Sequence, residues 1–135
     1  MTYRNSNHIA RLICGAYDKS KLRFDHHQNG FTETFLNSTV PLAAVGLIWR
    51  DFGQQILTQE MPNASQDELQ FSHQFIYFGF FQAIDGGDNG VDEVDGGTRA
   101  YSSNTTLPAR VHRLNYIGDF NKACELCETE FRDYL

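Results

Sequence analysis

Residues 75–84 read FIYFGFFQAI, four phenylalanines and a tyrosine in ten positions. They close a helix that Ser65 and Glu68 open, because a serine followed three residues later by a glutamate is the signature of a capping box. The helix is expected over roughly residues 66–84. Toward its end it is apolar on nearly every side, and a helix apolar all round has to be covered all round. This constrains the fold more than any other feature: the rest of a 135-residue chain must wrap one deeply buried helix, within a single domain. The 41% hydrophobic content supplies enough apolar material for such a core. No apolar run approaches the ~20 residues that a membrane span needs, so protein rather than lipid must do the covering.

The other elements follow from local pattern. Residues 9–14, within IARLICGAY, form a short apolar run that predicts a buried strand. Residues 21–24, KLRF, alternate polar and apolar and predict a second strand ending at Asp25, before the Asn29-Gly30 turn. Residues 41–59 predict a helix on the spacing of Leu42, Val45, Trp49, Phe52 and Ile56, with Thr39 as cap and Pro41 in the first turn. Gly53 is placed to end or bend it. Residues 85–97, DGGDNGVDEVDGG, read as a Gly/Asp-rich loop, and residues 119–134 as an amphipathic helix capped by Asp119.

A formal net charge of −6 excludes broad, non-specific adhesion to nucleic acid or anionic membrane but leaves room for a local basic groove. The N-terminus lacks the long apolar core of a secretory signal. The three Asn-x-Ser/Thr sites at Asn37, Asn63 and Asn104 therefore read as chance sequence, and Cys14, Cys124 and Cys127 as reduced thiols of an intracellular protein.

Asp25-His26-His27 stands out chemically. A carboxylate beside two imidazoles suits Mn²⁺, Zn²⁺ or iron, and the end of a strand is where open α/β sheets gather their ligands. The competing reading is a solvated turn. Three contiguous residues cannot complete a metal shell, so further ligands must come from elsewhere. Asp85 and Asp88 are placed where the buried helix meets the Gly-rich loop, and glycines let backbone approach a ligand. DGGDNG lacks the closing glutamate of a calcium loop. Arg110, His112 and Arg113 lie in an acid-free segment where a phosphate could rest, although from sequence alone ordinary surface charge explains them better. Cys124 and Cys127, one helical turn apart, have no further ligands at zinc spacing and read as helix packing.

Five segments, GAYD…RFDHHQNGFTETF, LAAVGLIWRDFG, AIDGGDNG, TLPARVHRLN and FNKACELCETEF, carry a resemblance. In order and spacing they resemble the melanocyte-proliferating-gene family (uncharacterised protein family 0160), which is similar to the DHH phosphoesterases. The likeness covers about residues 13–135 and sets residues 1–12 apart as a divergent segment. It implies an α/β fold, a partial DHH-type domain with a parallel sheet flanked by helices. It implies a metal-dependent phosphoesterase, a 3′→5′ exonuclease acting on RNA or a related nucleotide, using Mn²⁺ or another divalent ion, in mitochondria or the nucleus and without a membrane partner. By the same resemblance His26 binds the metal, His27 meets the substrate phosphate, Asp25 supports the pair, and Asp85 or Asp88 supplies the following aspartate ligand. Independently of the resemblance, the basic segment offers Arg110 and Arg113 as further phosphate contacts.

The departures are as specific as the matches. The family's opening segment, of the type T-H-N-G-T-F-H-C-D-E, has no counterpart here. Where the family's first strand reads V-D-V-G-G-x-Y-D, this chain reads RLICGAYD, with Leu12 at the bridging aspartate. The expectation is therefore a truncated or degenerate member, weakly active or inactive, without the family's C-terminal domain. The alternative expectation is a non-catalytic fragment acting, if at all, as a binding module.

Overall fold

The computed structural model describes residues 16–91 and 103–135. The expected strand at 9–14 and the acidic residues Asp92, Glu93 and Asp95 lie outside the described residues. Within them the fold is mixed and dominated by helix. Strand β1 (Tyr17–Asp18) pairs antiparallel with β2 (Arg23–Phe24), Tyr17 opposite Phe24. The parallel sheet is not formed among the described residues; this pair is their only sheet. The reason is local. The Asp18 carboxylate accepts from the Ser20 and Lys21 amides at 3.1 and 3.3 Å and from the Ser20 hydroxyl at 2.6 Å. These bonds curl Lys19–Lys21 into one 3₁₀ turn and send the chain straight back, with Leu22 in the left-handed region at φ +51°.

Helix α1 (Ala44–Glu60) starts three residues later than the pattern predicts. Pro41 is held extended in a bridge with Thr34, and the Leu42 amide donates to the Glu33 carbonyl at 2.9 Å. Thr39 does not cap the helix; Ala43 stands at the cap position with no side-chain bond. Gly53 does not end α1, which runs on to Glu60. It makes room for the His73 ring, because a Cβ there would lie 2.6 Å from Cδ2. Helix α2 (Gln66–Ile76) begins with the expected capping box: the Glu68 amide donates to Ser65 Oγ at 3.3 Å, and the Ser65 amide to Glu68 Oε2 at 2.7 Å. Trp49 Nε1 donates to the His73 carbonyl at 3.0 Å and His73 Nε2 to the Trp49 carbonyl at 2.9 Å, which locks α1 to α2.

At Tyr77–Phe81 the helix widens into a π turn before continuing as α3 (Gln82–Asp88). Asp85 and Asp88 thus belong to a helix rather than to the expected loop, which opens at Asn89-Gly90 with Gly90 at φ +68°. Ile76, Tyr77 and Phe81 join Phe24, Phe35, Leu42, Leu47, Trp49, Leu57 and Leu69 in the core. The all-round burial expected of this helix does not hold: Phe71 is 69% and Phe75 59% exposed. The apolar residues exceed the surface that α1 and its neighbours cover. Helices α4 (Leu107–Tyr116) and α5 (Phe120–Arg132) form a hairpin docked through Phe131 on Trp49, Phe80 and Phe81, and Asp119 caps α5 as expected. Among the described residues no helix is long and apolar enough to cross a membrane.

Candidate metal centre

Strand β2 ends where its burial alternates: Phe24 enters the core, and the three polar residues after it turn toward one another. Beneath them Tyr17, whose hydroxyl donates to Asp51 Oδ2 at 2.7 Å, ties β1 to α1. Arg50 stacks over the Tyr17 ring, donates to its oxygen at 2.6 Å and pairs with Glu33 at 2.6 Å. This network fixes the strand pair against α1. Burial, with the hydrogen bond to Asp51 second, holds the Tyr17 hydroxyl above its usual pKa, so it stays a neutral donor.

Asp25, His26 and His27 each offer one ligand atom, and these atoms all lie within 4.8 Å of one another. Asp25 Oδ1 accepts from the His27 amide at 2.9 Å and meets His27 Nδ1 at 2.8 Å. That bond places a proton on Nδ1 and turns Nε2 outward from a side chain 74% exposed. The His26 side chain is only 7% exposed. Its Nε2 lies 3.3 Å from Asp88 Oδ2, and its Nδ1 is buried with no hydrogen-bond partner among the described residues. A buried imidazole nitrogen without a partner is costly unless something binds it. Asp25, His26 and His27, with Asp88 beside His26, form an imidazole and carboxylate donor set of the kind that suits a borderline divalent cation.

Asp85 has a different environment. It is wholly buried, and Oδ1 accepts from the Ala43 and Gly46 amides at 3.0 and 3.1 Å. These are donors of the first turn of α1, which has no side-chain cap of its own. Oδ2 accepts from the Tyr77 hydroxyl at 3.1 Å. Gly46 is required, because a Cβ there would overlap the carboxylate. Burial pushes the Asp85 carboxyl up to about 6, against the lowering pull of the Ala43 amide, the Tyr77 hydroxyl and the Gly46 amide. Burial, followed by the Asp85 charge, also raises the Tyr77 hydroxyl.

The model for Uncharacterised protein family (UPF0160) matches residues 4–135. The chain belongs to this family. It is 38% identical to the MYG1 protein of Dictyostelium discoideum over 94% of its own length and 42% of the relative's. It is 34% identical to the MYG1 exonuclease of Homo sapiens and 34% to that of Bos taurus, each over 91% of the chain and 37% and 36% of the relative. The chain thus spans about two fifths of the length of these curated relatives. No solved structure matches it.

The UPF0160 chain brings Asp25, His26, His27 and Asp88 together. Beside Asp88 lies a groove of about 350 Å³ lined by Ala43, Ala44, Val45, Ile84, Gly87 and Pro108. Arg110 and Arg113 line a groove of about 620 Å³ between α4 and α5, with Lys122 and Leu126 and without any residue of the triplet. Arg110 pairs there with Glu130 at 2.6 Å, and Arg113 donates to the Asn104 carbonyl. Cys124 and Cys127 are free and exposed, so they are not helix-packing residues. Tyr77 and Gly46, which hold Asp85, were not singled out by the sequence; their one trace is a glycine inside the apolar run LAAVGLIW.

Proposed function

We propose that this chain carries part of a DHH-type phosphoesterase site and that its protein is a Mn²⁺-dependent 3′→5′ exonuclease acting on RNA. The observation that carries the reading is His26: a buried imidazole whose Nε2 faces the Asp88 carboxylate, next to Asp25 and His27. The curated relatives named as exonucleases support the substrate class. On this reading the described helices flank a parallel sheet, and the protein works in mitochondria or the nucleus.

The residues take distinct parts. His26, Asp88 and Asp25 would hold the ion. When bound, a divalent ion supplies Lewis acidity and makes its water a nucleophile at neutral pH. His27, fixed through Nδ1 to Asp25, when protonated donates Nε2–H to a phosphoryl oxygen and stabilises charge that grows there in the transition state. The groove beside Asp88 leaves space for the terminal nucleotide. Arg110 and Arg113 would meet phosphates further along the strand from the α4–α5 groove.

The test is degradation of a 5′-labelled RNA oligonucleotide with Mn²⁺. The expected result is stepwise shortening from the 3′ end, lowered at least ~100-fold in His26→Ala and in His27→Ala. Shortening that persists in His26→Ala overturns the reading.

A further inference from the structure

The metal-centre reading leaves one group unused: the wholly buried Asp85, three residues before Asp88. We infer that Asp85 is a positioning residue rather than a ligand, and that with Tyr77 and the π turn it sets the register at which Asp88 faces His26. The inference rests on the reading of His26 and Asp88 as a ligand pair.

Both Asp85 oxygens are already engaged by the donors on α1 and by Tyr77. A cation would have to compete for this carboxylate with three donors, two of which, at the start of α1, have no side-chain cap in Ala43 to turn to. The helix geometry points the same way. Residues eight apart in a regular α-helix lie about 80° apart around the axis, at 3.6 residues per turn. The π turn at Tyr77–Phe81 is wider and removes this offset, so Tyr77 and Asp85 meet on one face. Asp85 then clamps that face to the start of α1, where Gly46 lets it approach. Asp88 is one turn further along the same helix and is carried to 3.3 Å from His26 Nε2. Asn89 secures the end of the turn, its side chain donating to the Pro41 and Asp85 carbonyls at 2.8 and 2.9 Å.

A positioning carboxylate differs from a ligand in one testable way. Asparagine keeps its shape and one acceptor, so Asp85→Asn should rescue a positioning role and abolish a ligand role. The first readout needs no metal: the ring ¹⁵N shifts of His26 in metal-free protein at pH 8, which report the tautomer held by Asp88. Wild type and Asp85→Asn are expected to show a single Nε2–H tautomer. Asp85→Ala is expected to show a mixture, and Tyr77→Phe an intermediate one. The second readout is Mn²⁺ affinity, expected near wild type in Asp85→Asn and lowered at least ~10-fold in Asp85→Ala, with the number of ions unchanged. If Asp85→Ala does not fold, Tyr77→Phe decides the first readout. Mn²⁺ binding lost in Asp85→Asn overturns the inference, as does a wild-type tautomer in both Tyr77→Phe and Asp85→Ala. A wild type that binds no Mn²⁺ but shows the expected tautomers sinks the metal-centre reading and leaves the positioning role standing.

Discussion

At the residue scale, His26 and Asp85 show two ways in which a buried polar group is tolerated. His26 keeps a nitrogen with no partner among the described residues, whereas Asp85 accepts from three donors. Asp85 makes stability depend on pH with a definite sign. Its folded value of about 6 lies above the ordinary 3.8, so between these limits the folded chain holds a proton that the unfolded chain has released. The contribution is full below pH 4 and is lost as pH rises through 6. Asparagine cannot titrate, so the stability of wild type relative to Asp85→Asn should fall by roughly 1–3 kcal/mol between pH 4 and pH 7 in urea denaturation. A flat difference would contradict the assignment. Gly46→Ala drives a methyl into the same carboxylate and should cost about 1–3 kcal/mol, despite the better helix propensity of alanine. The Asp25-His26-His27 cluster was legible in the sequence because its members are neighbours in the chain. The Asp85 environment was not, because its partners lie 39 and 42 residues away at the start of α1 and at Tyr77, which opens the π turn.

At the scale of elements, what could be read was what is decided locally. The capping box of α2 and the Asp119 cap of α5 each close within three residues. Ser65→Ala should therefore lower stability by about 1 kcal/mol, seen as a shifted urea midpoint with an unchanged slope. No shift would show that Glu68 alone holds the helix end. The expected start of α1 is displaced because Pro41 is held extended in a bridge with Thr34 and the Leu42 amide is taken by the Glu33 carbonyl, and a distant aspartate then satisfies the Ala43 amide. Among the described residues Tyr17–Phe24 closes as an antiparallel hairpin because Asp18 holds a tight turn. Helix α4 has its own local signal in the helical spacing of Leu107, Val111 and Leu114, which the basic character of the same stretch masks.

At the scale of the whole molecule, the core lies between α1, the α2–α3 helix and the inner edge of the hairpin β1–β2, and the site stands at its rim. The long apolar helix is buried on one side and bare on the other, where Phe71 and Phe75 stack with ring centres 6.0 Å apart. Replacing both by serine should change stability by less than about 0.5 kcal/mol, while Ile76→Ala, in the core, should cost about 2–5 kcal/mol. Equal losses from the two faces, measured by denaturation, would restore the all-round burial that the sequence pattern predicts. The most direct test of the central claim is calorimetric titration of this chain with Mn²⁺, beside His26→Ala and Asp88→Asn. Binding of at least one ion, lost in His26→Ala and weakened at least ~10-fold in Asp88→Asn, is the predicted result. Absence of binding, or binding indifferent to both substitutions, would contradict a metal centre at His26 and Asp88.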